Sequence, residues 1–243
     1  MDEIKLGRHK IKTPAVCGAV QASSVAEMRK LLAEAFRQGA DLVEIRADSL
    51  KSMSDLGELL KVKKPIILTN RPKREGGAFG RSEKERVNVL LEGIKRKVSC
   101  VDVEFSTPAN LRKEIISKAK KSGTAVLLSH HDFSSTPKAG ELLKIAREME
   151  KVNADILKIV TLAKGREDAY RMMELVTQAQ AEIKTPLVAF AMDGCGVITR
   201  FIGPMFGSPL VYAAVSTKTA PGQLDIKDTK TMLKELMPEE VRD

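Results

Sequence analysis

Residues 124–159 read TAVLLSHHDFSSTPKAGELLKIAREMEKVNADILKI. The runs at its two ends, 124–129 and 155–159, are short and apolar, as buried strands are, and the stretch 138–151 between them carries helical periodicity. A strand, a crossover helix and a second strand form a parallel unit. The same alternation recurs along the chain. Further strand candidates are 15–20 (AVCGAV), 41–46 (DLVEIR), 64–69 (KPIILT), 100–104 (CVDVE), 186–191 (PLVAFA) and 209–214 (PLVYAA), making eight in all. Helical patterns occupy 25–38, 82–97, 109–121 and 166–181, with 227–236 closing the chain. Eight repeats in 243 residues, beside the roughly 250-residue norm for such folds, favour closure into an α/β, single-domain (β/α)8 TIM barrel over an open doubly wound sheet. No linker or low-complexity stretch divides residues 1–243, so one catalytic domain is expected. Residues 1–12, rich in Lys and Arg, form either an extra hairpin or an arm.

Composition bounds the function. With 43% hydrophobic and 30% charged residues the chain can build a sizeable core and is far from the disordered balance. Cys17, Cys100 and Cys195 are odd in number and far apart, and only three histidines accompany them, so neither a disulfide framework nor a zinc site is indicated. No signal peptide is present and no apolar stretch nears ~18 residues; a soluble, cytoplasmic protein without a membrane partner is expected. The net charge of +9 and pI near 9.4 raise nucleic-acid binding as a rival. Its patterning argues otherwise: basic residues alternate with acidic ones (Lys84, Glu85, Arg86; Glu141, Lys144, Arg147), and aromatic residues for base stacking are few.

Four strand candidates end in polar residues two positions apart: Glu44 with Arg46, Thr69 with Arg71, Asp102 with Glu104, and Ser129 with His131. A period of two puts each pair on one strand face. Against the helix layer they would bury unpaired charge at several kcal/mol per ion, so they are expected to face the barrel mouth. Glu44, Arg46, Arg71, Glu104, His131 and Lys158 fall at or just past C-terminal strand ends, the rim where such barrels build their sites.

Lys158 shares a face with Ile156 in an apolar strand. Burial favours the neutral amine of a lysine, the form that attacks a carbonyl; a pairing with Asp102 or Glu104 across the barrel is the alternative, and the strand pattern admits both. A histidine exchanges protons near neutrality. His130 and His131 are neighbours on a strand, so only one of them reaches the mouth. In RPKREGG, 71–77, the glycines permit a tight turn that folds Glu75 back toward the mouth; the alternative is an exposed basic loop. Arg200 follows the seventh strand, where barrels often bind anions, and suits a carboxylate or phosphate.

Seven segments, in order, resemble those of type I 3-dehydroquinate dehydratases: EIRAD at 44–48, TNRPKREGG at 69–77, VDVEF at 101–105, SHHDFSSTP at 129–137, DILKI at 155–159, TRFIGPMFGS at 199–208 and TAPGQ at 219–223. The resemblance implies a shikimate-pathway lyase, active in aromatic amino acid biosynthesis, that converts 3-dehydroquinate to 3-dehydroshikimate and water. It implies Lys158 as Schiff-base nucleophile, His131 as general acid/base and Glu75 as its support. Glu44, Arg46, Arg71, Arg200, Thr219 and Gln223 become substrate-binding residues, the arginines for the carboxylate, and Asp102 a supporting group. It further implies a homodimer and no metal or organic cofactor. Thr219 stands where the family usually has serine, and Cys17 occupies the place of a strand-one serine. The nearest rival is a class I aldolase-type lyase, which shares the imine but not the His131 motif or the arginine clamp.

Overall fold

The computed structural model describes residues 3–54, 56–216 and 222–237. An antiparallel hairpin, β1 (Glu3–Leu6) and β2 (His9–Lys12), opens the chain. Eight parallel strands follow: β3 (Ala15–Val20), β4 (Leu42–Arg46), β5 (Ile66–Thr69), β6 (Cys100–Glu104), β7 (Ala125–Asp132), β8 (Ile156–Leu162), β9 (Leu187–Met192) and β10 (Leu210–Ala214). The helices are α1 (Val25–Arg37), α2 (Leu56–Leu59), α3 (Glu83–Lys95), α4 (Ala109–Ser122), α5 (Ala139–Glu150), α6 (Arg166–Glu182), α7 (Thr199–Met205) and α8 (Ile226–Leu236). The strands run in the order β10-β3-β4-β5-β6-β7-β8-β9, each parallel to its neighbours. This is the expected (β/α)8 barrel, nearly closed. Among the described residues no ladder joins β9 to β10; α7 packs against both strands, and inside the barrel Phe190 faces Tyr212 with ring centroids 6.1 Å apart.

Both strand faces are buried, which is why the strands read as near-continuous apolar runs. Val16, Ile45, Leu68, Val101, Leu128 and Ile159 face outward, in one core with Met28, Leu90, Ile115, Leu142 and Met172 of the helices. The inward set differs along the barrel axis. Leu42, Ile67, Cys100, Leu127, Ile156 and Leu210 make an apolar lower half, and Ile4, Leu6 and Ile11 of the hairpin pack into it. The hairpin thus plugs the N-terminal end, and the polar inward residues are left to the opposite mouth. Helix starts are fixed locally: Ser82 and Glu85 form a reciprocal capping box on α3, and the side chains of Ser24 and Asp225 cap α1 and α8.

Three features depart from the sequence reading. The periodicity shows neither α2 nor α7, because four and seven residues are too few to display a repeat and α7 contains Pro204. Strands β7 and β8 run three residues further than expected, to Asp132 and Leu162. They pair with each other up to Asp132 and Thr161, and β9 extends beside them. Lys158 is therefore the third residue of a seven-residue strand, inside the barrel and not at its rim.

The plug makes Leu6 a test of barrel closure. Its side chain is fully buried, so Leu6→Ala is expected to cost about 2–5 kcal/mol, read as a lower urea midpoint at an unchanged slope. A loss under about 0.5 kcal/mol, the range of a neutral surface change, would show that the hairpin does not seal the core.

Candidate active site

The four polar pairs all point inward, and all of their members except His131 form, with Lys158, a connected floor beneath the mouth. Thr69 on β5 donates its hydroxyl to Oε1 of Glu44 on β4 at 2.8 Å. Arg71, just past β5, reaches across β6 and β7: Nη2 donates to Asp102 at 2.5 Å, and Nη1 to Glu104 at 2.8 Å and Ser129 at 2.6 Å. Ser129 passes its own proton to Asp102 at 2.5 Å. Lys158 stands between the two ends of this set, with Nζ 3.5 Å from Asp102 and 3.7 Å from Glu44. The same ammonium lies 4.1 Å above the centre of the Tyr212 ring, a cation–π arrangement. The cross-barrel pairing considered for Lys158 is thus made with Asp102 and Glu44, not with Glu104. Glu104 belongs instead to Arg71 and to the fully buried Arg86 of α3.

Above the floor stands His131, two residues beyond Ser129 on β7 and opposite Val160 of β8. Its Nδ1 is 3.0 Å from Oε2 of Glu75. An ionised carboxylate only accepts, so Nδ1 carries the proton and the lone pair of Nε2 is left for the pocket. Phe133 stacks beside the imidazole at 6.4 Å. Glu75 arrives on the RPKREGG loop, which folds back as expected, and the glycines are what allow it. Gly76 has φ of +74°, and a Cβ there would sit 2.1 Å from the Phe133 ring. A Cβ on Gly77 would lie 2.0 Å from the carbonyl oxygen of Arg71.

The pocket holds about 580 Å³ of space, partly open to solvent, and is lined by Glu44, Arg46, Arg71, Glu75, His131, Lys158, Arg200 and Gln223 together with Gly76, Phe133, Val160, Phe190, Met192 and Tyr212. Of the sequence candidates, Asp102 lies just below, in contact with Lys158, and Thr219 lies outside the described residues. Arg200 is the second residue of α7, buried, with its guanidinium 4.2 Å over the Phe190 ring. Cys17 points into the barrel but is fully buried and does not line the pocket. Sequence reasoning missed the apolar wall of Val160, Phe190, Met192 and Tyr212, which was legible as the inward phase of three strands. It also missed Asp48. That carboxylate takes a bidentate pair of bonds from Arg46 at 2.9 and 2.8 Å and accepts the backbone N–H groups of Arg71 and Ala78, tying the loop to β4. Its signal was the acid two residues after Arg46.

Burial opposes every charge here, and partners decide which survive. Burial raises the Asp102 carboxyl, but Arg71 and Lys158 outweigh it and hold the group below its ordinary range. Asp48 is likewise lowered by Arg46 against its own burial. Burial, with Asp102 and Glu75 nearby, pushes Glu104 up to about 7 against the pull of Arg71 and Arg86. Burial alone brings Arg200 down to about 10, so it stays cationic at neutral pH. His131 is lowered well below the usual imidazole range, by burial first and then by Arg71, Lys158 and Arg46. The site therefore combines a buried amine, a neutral imidazole with an aimed lone pair, and a cationic wall. That set can form an imine with a ketone, move a proton next to it and hold an anion.

A sequence model of the type I 3-dehydroquinase family matches residues 16–239. A 3-dehydroquinate dehydratase of Pyrococcus abyssi is 38% identical over 80% of this chain and 87% of its own length. One from Methanococcus maripaludis is 34% identical over 90% of this chain and 98% of its own. The crystal structure of 3-dehydroquinate dehydratase from Geobacillus kaustophilus superposes with a TM-score of 0.90 at 28% identity, covering 96% of each chain.

The environment of His131 has a measurable consequence. At pH 6 about three-quarters of a free imidazole is protonated, whereas His131 is expected to remain neutral in nitrogen-detected NMR spectra. Because the unfolded chain binds the proton that the folded chain refuses, its contribution to stability is complete above about pH 6.5 and declines as the pH falls below that. Titration of His131 at or above pH 6.5 would contradict this electrostatic picture.

Proposed function

The chain belongs to the type I 3-dehydroquinase family, and on that premise we propose that it is a lyase dehydrating 3-dehydroquinate to 3-dehydroshikimate in the shikimate pathway, through a Schiff base on Lys158 with His131 as general acid/base. The observation that carries the reading is the placement of Lys158 and His131 on one wall of one pocket, on adjacent strands with His131 two residues nearer the mouth. Lys158 Nζ, after giving up a proton, attacks the C3 ketone, and water leaves to give an iminium. The iminium is an electron sink for the C2–H bond. His131 Nε2 takes that proton, then returns it to the C1 hydroxyl as it departs, forming the conjugated double bond. Water then releases the product and the lysine, so the net change is loss of one water.

The surroundings support these roles. The Tyr212 face beneath Nζ favours a cation at that point, as ammonium or iminium. Glu75 holds the imidazole in the tautomer that presents Nε2. Arg200, beside the positive field of Arg46 and Arg71, binds the substrate carboxylate, and that anion makes protonation of His131 easier during turnover. Arg46 and Arg71 are themselves bonded to Asp48 and to Asp102 and Glu104, so they act as much by holding those groups as by touching substrate. Glu44, Gln223 and Thr219 are assigned to the ring hydroxyls. The whole chain, 1–243, serves as one catalytic unit, closed below by the hairpin. On the same reading the enzyme is cytoplasmic and homodimeric, and its steps call on no metal or organic cofactor.

Incubation with 3-dehydroquinate is expected to give the ultraviolet absorbance of a conjugated enone. His131→Ala should lower kcat by about 10²–10⁴-fold, the usual contribution of a positioned acid/base. Absence of the enone, or a His131→Ala variant at full rate, would overturn the assignment.

A further inference from the structure

Glu75 is a buried carboxylate on a surface loop, and something must keep it aimed at His131. One of its oxygens accepts from Nδ1 of the imidazole at 3.0 Å. The other accepts from the hydroxyl of Ser106, two residues beyond β6. The direction of this second bond is determined by a third residue. Arg74 Nε donates to Ser106 Oγ at 3.2 Å, and a guanidinium has no acceptor. The hydroxyl therefore receives from Arg74 and spends its single proton on Glu75. Arg74 is in turn held by two bonds to Glu83 at 3.1 and 3.2 Å, and Glu83 is held by the buried Arg86.

We propose that Ser106 is a positioning residue for the acid/base step: acting through Glu75, it fixes the Nδ1-protonated tautomer of His131. The kinetic consequence rests on the dehydratase reading, whereas the tautomer does not. Burial first, and then the charges of Arg71, Lys158, Arg46 and His130, disfavour protonation of His131. Glu75 is the anion in contact with the ring, so its orientation governs which nitrogen keeps the proton. Without Ser106 the outer oxygen of Glu75 loses its donor, and the carboxylate can rotate. That rotation loosens the bond to Nδ1 and admits the opposite tautomer, whose protonated Nε2 cannot accept the C2 proton of the substrate. Ser106 is itself exposed, so removing its hydroxyl opens no cavity in the core.

Ser106→Ala and Ser106→Thr test this in the full chain, with nitrogen NMR of His131 in the absence of substrate and kcat and KM for 3-dehydroquinate measured separately. Loss of a hydrogen bond to a charged group is expected to lower kcat roughly tenfold in Ser106→Ala, with KM changed by less than about twofold. The His131 spectrum should lose its single Nδ1-protonated form. Ser106→Thr, which restores the hydroxyl, should recover both. An unchanged spectrum and kcat in Ser106→Ala, or a threonine variant no better than alanine, would overturn the proposal. If the parent enzyme does not turn over 3-dehydroquinate, the dehydratase reading fails and the spectra alone decide the role of Ser106.

Discussion

Arg71 is buried, and its guanidinium has Asp102, Glu104 and Ser129 within 2.8 Å. A charge left unpaired at this depth costs several kcal/mol, so the four side chains stand or fall together. Three strands are bound into this cluster at the level where the barrel stops being apolar. Below it the hairpin and the inward aliphatic residues need no partner. Above it every charged side chain that turns inward must find one, and those partners, with the apolar wall of Val160, Phe190 and Met192, set the shape of the pocket.

Lys158 inherits its position from that cluster. Asp102 has one oxygen taken by Ser129 and the other shared by Arg71 and Lys158. The lysine is therefore held by a carboxylate already stabilised as an anion, by Glu44, and by the face of Tyr212, which together fix Nζ at the pocket floor. The same arginine has an opposite effect on His131, whose protonation it discourages. Burial first, with Arg71 as the leading charge, thus disfavours protonation of the imidazole, while the carboxylate neighbours of the same arginine hold the lysine in place. The outer shell continues the pattern: Arg86 and Glu83 connect Glu104 on one side with Arg74 on the other.

Much of this was legible in the sequence for a physical reason. The strand period of two forces residues such as Asp102 and Glu104 onto one face, and the cost of burying charge against helices chooses the face. The inward direction of the polar pairs follows from those two facts without any knowledge of partners. What the period does not carry is depth. Lys158 was expected at the rim because DILKI reads as a strand that ends there, yet β8 continues through Val160, Thr161 and Leu162, whose register with β7 and β9 is a tertiary matter. Helix α7 was hidden by its length and by Pro204. Ser106 and Arg86 reach the site through hydrogen bonds to segments distant in sequence, and no local pattern marks such a bond. The choice between His130 and His131 needed the motif around them, and the structure supplies its physical counterpart in Glu75.

On the proposed reading this floor presents Lys158 as the carbonyl-attacking amine. Borohydride reduction of the enzyme during exposure to 3-dehydroquinate, followed by proteolysis and peptide mass mapping, tests it directly. A stable adduct confined to the peptide containing Lys158, and absent from a Lys158→Met variant, is the expected result. An adduct on another lysine, or sustained turnover by Lys158→Met, would contradict it.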